Sequence, residues 1–168
     1  MRKHPNAFTL IELTIALLII GISAAIVFPK LTGCLVQRAK IRSSVNRITA
    51  LAEYAYQQAA CTRRTHVLYL DTEKGAYWVA IQPSDEQTIP TPENSILKGS
   101  LPEEVEMANV SLGGEHAGLQ SVVAIRFSPQ GWADPATIDL ICSTGEIMRI
   151  VIDELSAQIE NYDMEAIH

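Results

Sequence analysis

Residues that announce an active site are scarce in this sequence. It holds no CxxC pair and no Cys/His cluster, which speaks against a structural zinc site. No nucleophile, metal or phosphate-cradling motif can be traced, so no cofactor is expected and the chain does not read as an enzyme. Internal repeats and low-complexity tracts are missing too. Cysteine is limited to Cys34, Cys61 and Cys142, which cannot all pair within one chain. In an oxidising compartment a Cys61–Cys142 bridge stays open; the apolar run Ile138–Cys142 favours a buried free thiol at Cys142 instead. Positive charge is thin in the C-terminal part. From Thr65 onward lie 17 of the 19 acids but only 4 of the 13 bases: Lys74, Lys98, Arg126 and Arg149. Such a region repels phosphate, so no nucleic acid is expected as a partner.

What the sequence does have is an almost continuously apolar run from Phe8 to Phe28, about as long as the ~20 residues a helix needs to cross a hydrocarbon core. The remainder of the 168 residues alternates in shorter runs and suffices for one modest core. Between them, Lys30 to Arg64 carries seven bases against the single acid Glu53. That stretch reads as a solvated helix face near anionic lipid or acidic neighbours rather than a DNA footprint. The chain divides accordingly into a polar leader (1–7), a transmembrane helix segment (8–28), an amphipathic second half of the same helix (29–64) and a β-rich head (65–168).

The N-terminus carries the sharpest signal. A short polar segment with Arg2 and Lys3 meets the apolar run abruptly at Phe8, and Glu12 lies near the start of that run. An acid in hydrocarbon costs about 2.5–3.5 kcal/mol on insertion scales and is kept as a rule only when it has a partner. An ordinary secretory signal would be cut after the apolar core, where Ser23-Ala24-Ala25 offers small residues. A cut before Phe8 would instead create an α-amine about one helical turn from Glu12, a local counter-charge. A count of positive charges favours the opposite topology, because Lys30, Arg38, Lys40, Arg42 and Arg47 follow the span.

Ala7-Phe8-Thr9-Leu10-Ile11-Glu12, followed by Leu13–Ile20, Gly21, Ala24-Ala25 and Pro29, resembles the N-terminal signature of type IV pilins and type II secretion pseudopilins. The resemblance implies cleavage between Ala7 and Phe8 on the cytoplasmic face by a prepilin peptidase, with methylation of the new Phe8 amine. It implies that Glu12 pairs with the Phe8 amine of a neighbouring subunit, and that the apolar helix remains as the filament core. The leader must then face inward, which overrides the charge count. Ala7 stands where the family nearly always has glycine, so processing is expected at a lower rate.

Beyond Pro29 the apolar residues Ile41, Val45, Ile48, Ala52, Ala55 and Ala59 recur at alternating spacings of four and three, one stripe of a helix. A helix from Phe8 to about Ala60 would be roughly 80 Å long. Gly21 and Pro29 bracket a weak segment where it is expected to kink. After Arg64 the pattern turns to strands. Val67–Leu70 and Ala76–Ile81 flank a glycine-containing turn. Gln82–Asn94 reads as a loop, Glu104–Leu112 as a strand, and Ser156–Glu160 as an edge strand. Val122–Phe127, Thr137–Cys142 and Glu146–Asp153 read as a meander joined by turns at Pro129–Gly131 and Ser143–Gly145. The fold class is α+β: a long N-terminal helix on an antiparallel β-sheet head.

Three further fragments, Arg63-Arg64-Thr65-x-Val67-Leu68, Gly75-x-Tyr77-Trp78 and Ile125-x-Phe127-Ser128-Pro129-x-Gly131, resemble the H-type minor pseudopilins and the FimT/FimU-like minor pilins. Ser156-Ala157-Gln158 departs from the Thr-Gly-Arg turn usual in that group, and the acidic C-terminal region departs from its DNA-capturing members. The resemblance implies a minor pseudopilin of a type II secretion system, a structural subunit entering a periplasmic pseudopilus near its tip. The alternative it implies is a type IV minor pilin that primes assembly or binds a surface ligand. It implies a single-pass protein of the bacterial inner membrane with its N-terminus cytoplasmic and its head periplasmic. Its implied partners are the prepilin peptidase, other minor and major pseudopilins or pilins, and the inner-membrane assembly platform. Weighed against this, His66, His116, Asp71, Glu73, Asp139 and Asp153 form no catalytic constellation, and both histidines read as surface residues. Asp134 beside Gly131 reads as turn chemistry rather than a calcium loop. Tyr77 and Trp78 read as strand packing with one ring exposed, and Trp132 as an exposed aromatic at a turn tip.

Overall fold

A computed structural model describes residues 10–83, 89–116, 121–154 and 159–164, with the backbone alone described at 26–35, 159–161 and 163–164. Two units divide the chain, Met1–Val36 and Gln37–His168. The helix α1 runs over Leu10–Thr62 and is assigned as helix through Gly21 and Pro29. It ends where Arg63 takes a left-handed φ of 55°, a conformation that cannot continue a right-handed helix.

In the second unit α1 is held by the stripe that its sequence marks. Ile41, Val45, Ile48, Ala52, Ala55 and Ala59 are all fully buried. Ser44 is buried beside the stripe and Leu51 and Tyr56 pack at its margins, while Arg42, Ser43, Asn46, Arg47, Ala50, Glu53 and Gln57 are exposed, so one face of the helix meets the strands.

Among the described residues nine strands follow, all paired antiparallel: β1 (His66–Asp71), β2 (Ala76–Ile81), β3 (Leu97–Ser100), β4 (Val105–Leu112), β5 (Glu115–His116), β6 (Val122–Phe127), β7 (Ala136–Cys142), β8 (Ile147–Ile152) and β9 (Ile159–Met164). They form two sheets, ordered β3-β2-β1-β6 and β5-β4-β7-β8-β9. Leu68, Leu70, Tyr77, Val79, Val123, Ile125 and Phe127 from the first sheet share one core with α1. Val105, Val110, Ile138, Leu140, Met148, Ile150 and Ile152 complete it from the second. Alternate residues of β1, β2, β4, β6, β7 and β8 reach this core, as the period of two requires.

The first sheet also buries residues of its other face. Val67, Tyr69, Trp78 and Ala80 form a smaller cluster, in which the Tyr69 and Trp78 rings stack with centroids 5.6 Å apart. The Trp78 indole Nε1 donates to the Pro90 carbonyl at 3.0 Å and so ties the following loop to this face. Both Tyr77 and Trp78 are buried, and neither is the exposed aromatic expected from the sequence. The register places Trp78 on the second cluster and Tyr77 on the main core, so each ring has a face of its own to pack against.

Four strand assignments differ from the sequence reading: β5 lies where only a connection is expected, β9 covers Ile159–Met164 where Ser156–Glu160 is expected, and the other two concern β6 and β3. The expected meander does not form, because β6 leaves its sequence neighbour β7 and pairs with β1 from His66↔Phe127 to Asp71↔Val122. The segment after β6 is a crossing between sheets. Ser128 N donates to the Trp132 carbonyl, Phe127 bridges Ala133, and Ala133 N donates to Glu154. Turn residues signal a change of direction but not which strand comes next. The last difference is β3, which the sequence leaves unassigned. Its residues, Leu-Lys-Gly-Ser, have little strand propensity. Gly99 lies opposite Tyr77, and a Cβ there would come within 2.5 Å of the tyrosine ring. Glycine is what lets the aromatic side chain lie across the edge strand.

Candidate functional site

The candidate site from the sequence is the N-terminal helix. Ala7 and Phe8 lie outside the described residues. Glu12 is in the first turn of α1 and exposed, flanked by exposed Leu10, Ile11 and Leu13. Ile15, Leu17, Leu18, Ile19, Ile20 and Ile22 are exposed as well. These positions step around the whole helix, so no single sheet could cover them. The hydroxyls in this segment are internally satisfied. Thr14 donates to the Ile11 carbonyl and Ser23 to the Ile19 carbonyl, each at 2.8 Å. A helix whose polar side chains bond its own backbone is compatible with an apolar environment. Around Gly21 nothing comes within 4 Å of an added Cβ. At Pro29 the backbone is described as part of α1 and the side chain is not. Among the described residues no helix is long and apolar enough to cross a membrane, and the described side chains of the apolar run end at Ala25.

The basic stretch of α1 has acidic neighbours within the chain. The Arg38 Nε donates to Glu146 and the Lys40 Nζ to Glu104, both at 2.6 Å. The Lys40 bond holds the Glu104 carboxyl below its ordinary pKa. Arg47 hydrogen-bonds the Tyr77 phenol, whose pKa burial raises and Arg47 partly pulls back down. On the outward side of α1 an open groove of about 440 Å³ is lined by Ala39, Arg42, Ser43, Asn46, Arg47 and Ala50.

Several of the residues weighed for catalysis make structural contacts. His66 is buried, not on the surface as the sequence reading had it. As the first residue of β1 it faces the core side, in register with Ile81 and Phe127, and its Nδ1 donates to the Arg64 carbonyl at 3.0 Å. His116 is exposed on β5 and bonds the Asn109 side chain at 2.9 Å. Asp71 accepts from the amides of Glu73 and Lys74 and so builds the β1–β2 turn, with Gly75 at φ 62°. Asp134 accepts from both the backbone and the guanidinium of Arg126. Asp139 pairs with Arg149 through bonds of 2.6 and 2.9 Å, which hold its carboxyl below the usual pKa against the opposing effect of burial. Cys61 is an exposed free thiol and Cys142 a buried one beside Thr144, so no bridge joins them. Among the described residues no group of three His, Cys, Asp or Glu side chains could hold a metal ion. Trp132 is 43% exposed, on a loop fixed by the Ser128–Trp132 and Gly131–Ser128 backbone bonds.

Comparison with known proteins bears on both ends of the chain. Residues 2–28 match the prokaryotic N-terminal methylation motif. No curated protein matches the chain. The fold is similar to the minor pseudopilin EpsH of the type 2 secretion system of Vibrio cholerae, with a TM-score of 0.57 at 11% identity over 74% of this chain and 96% of that one. It is similar to the type IV minor pilin FimU of Pseudomonas aeruginosa, with a TM-score of 0.55 at 14% identity over 76% and 92%. It is also similar to GspH of E. coli, with a TM-score of 0.53 at 15% identity over 74% and 89%. The molecule therefore joins a prepilin-type N-terminal motif to a pilin-like α+β fold. Such a motif implies processing by a prepilin peptidase, membrane anchoring and assembly with other pilin-type subunits.

Proposed function

We propose that the chain is a minor pseudopilin of the H type, a structural subunit that enters the pseudopilus of a type II secretion system near its tip. The methylation motif at residues 2–28, carried by a helix whose other end packs into an EpsH-like head, is the observation behind this reading. In it, residues 1–7 are removed, 8–28 lie in the inner membrane, 29–64 link membrane to head, and 65–168 face the periplasm. The prepilin peptidase cuts between Ala7 and Phe8 and methylates the Phe8 amine. Glu12 then attracts the amine of an adjacent subunit, a pairing that also offsets the cost of the carboxylate in an apolar environment. Gly21 and Pro29 mark where the helix gives when subunits pack. Other pseudopilins and the inner-membrane assembly platform are the partners, and nucleic acid is not. The likeness to FimU favours one second reading, a type IV minor pilin that primes pilus assembly or meets a surface ligand.

Co-expression with a prepilin peptidase tests the reading. N-terminal mass spectrometry should give a mature chain starting at N-methylated Phe8, and a start after Ala25 would overturn it. Glu12→Gln should be inserted and cleaved but crosslink poorly to neighbouring subunits. Wild-type crosslinking by that variant would remove the charge pair from the mechanism. The genes flanking this one separate the two readings, because secretion and pilus operons differ in content.

A further inference from the structure

Arg38 and Lys40 occupy the first turn of α1 within the Gln37–His168 unit, just before Ile41, the first buried residue of the stripe. Two residues apart, they lie about 200° apart around the helix axis, so they leave α1 on nearly opposite flanks. Each meets a different acid, Arg38 with Glu146 and Lys40 with Glu104, at 2.6 Å. The two acids are mounted on one frame. Ser143 N donates to the Glu104 carbonyl, Cys142 N to the Glu146 carbonyl, and Gly145 N to the Cys142 carbonyl. The β7–β8 turn and the entry to β4 thus tie the backbones of both acids to one frame, from which each carboxylate meets its own cation.

The apolar stripe discriminates between axial positions of α1 by side-chain size and polarity. A one-turn shift places Val45 where Ile41 was, Ala52 where Ile48 was and Thr62 or Arg63 where Ala59 was. The ion pairs add a second, charge-based discrimination at the proximal end. The same shift brings Ser43 or Ser44, or in the other direction Val36 or Gln37, to Glu104. It brings Arg42 to Glu146 in one direction and only Cys34 or Leu35 in the other. Only the observed register gives both acids a cation.

We propose that Arg38–Glu146 and Lys40–Glu104 act together as a salt-sensitive lock that reinforces the register of α1 at its proximal end, and that opens before the proximal turns of the helix can leave the head. The lock is ionic and partly exposed, with the Arg38 side chain 58% and the Lys40 side chain 38% accessible, so salt screens it. The distal contacts at Ala52, Ala55 and Ala59 are apolar and do not respond in the same way.

Hydrogen exchange on the full chain in detergent micelles reads this directly. Raising NaCl should speed exchange in residues 37–45 while residues 52–60 stay within about twofold. A double Arg38→Gln, Lys40→Gln variant should show about tenfold faster exchange in 37–45 at low salt and lose the salt response. The swap Lys40→Glu with Glu104→Lys should restore protection. The salt series on the unaltered chain needs no variant, so a misfolded substitution does not spare the proposal. Equal acceleration of both segments, no salt response, or a swap that fails to restore protection would each overturn it.

Discussion

Ile19 and Ile48 are both isoleucines in the same helix, yet Ile19 is 59% exposed and Ile48 is fully buried. The difference lies in their neighbours. Around Ile19, apolar side chains occupy every direction from the axis, and only surroundings on all sides, lipid or several other helices, can cover them. Around Ile48 the apolar residues keep to one stripe, and one layer of strands is enough. The distribution of apolar residues around a helix, more than their number, tells which part finds its partner within the chain.

The sharpest way to break that contrast is to truncate each isoleucine in turn. Ile48→Ala should cost the head about 2–5 kcal/mol by losing burial and leaving a cavity. Ile19→Ala should leave head stability unchanged. Urea denaturation of the detergent-solubilised chain, followed by circular dichroism, distinguishes them, and equal destabilisation would erase the contrast. A smaller effect is expected at the edge of the first sheet, where Gly99→Ala must push the Tyr77 ring aside. About 1–3 kcal/mol should be lost, and a Gly99→Ala, Tyr77→Ala double variant should lose less than the sum of its single changes. Smaller again, Trp78→Phe removes the bond to the Pro90 carbonyl while keeping a ring against Tyr69. The unfolding free energy from the same denaturation should drop by about 1 kcal/mol.

The least effect is expected from Asp139→Asn, because its partner Arg149 is partly exposed and solvent screens the pair. Its sign with pH is still defined. The folded-state pKa of Asp139 lies below the unfolded one, so the pair contributes fully above the ordinary aspartate value, near 4, and fades as pH falls through the folded value. The stability gap between wild type and Asp139→Asn should therefore be constant above about pH 5 and narrow below about pH 4. A gap that widened in acid would contradict the pairing.

The elements readable in advance are those with local causes. The buried stripe from Ile41 to Ala59 follows from spacing, and the β1–β2 hairpin from the Asp71–Gly75 turn chemistry. The turn between β7 and β8 follows from Ser143-Thr144-Gly145 in the same way, with Gly145 at φ 85°. What escaped the sequence has non-local causes. β6 finds β1 because both bury the same alternate residues against α1, a match invisible to turn signals. β3 is a strand because Tyr77 lies over Gly99, and His66 is buried because Ile81 and Phe127 flank it from neighbouring strands. The candidate site divides the same way. The motif from Ala7 to Glu12 is legible as residues, whereas the ion pairs that hold α1 to the head join positions 64 and 108 residues apart.

The two tryptophans of the chain sit in opposite surroundings. Trp78 is stacked on Tyr69 and hydrogen-bonded in the smaller cluster, while Trp132 projects from its loop into solvent. The molecule thus carries two intrinsic optical reporters. An aqueous collisional quencher such as iodide should extinguish the red-shifted Trp132 emission and spare that of Trp78. Contact with another subunit at the Trp132 loop would then register as lost quenching, without any attached label.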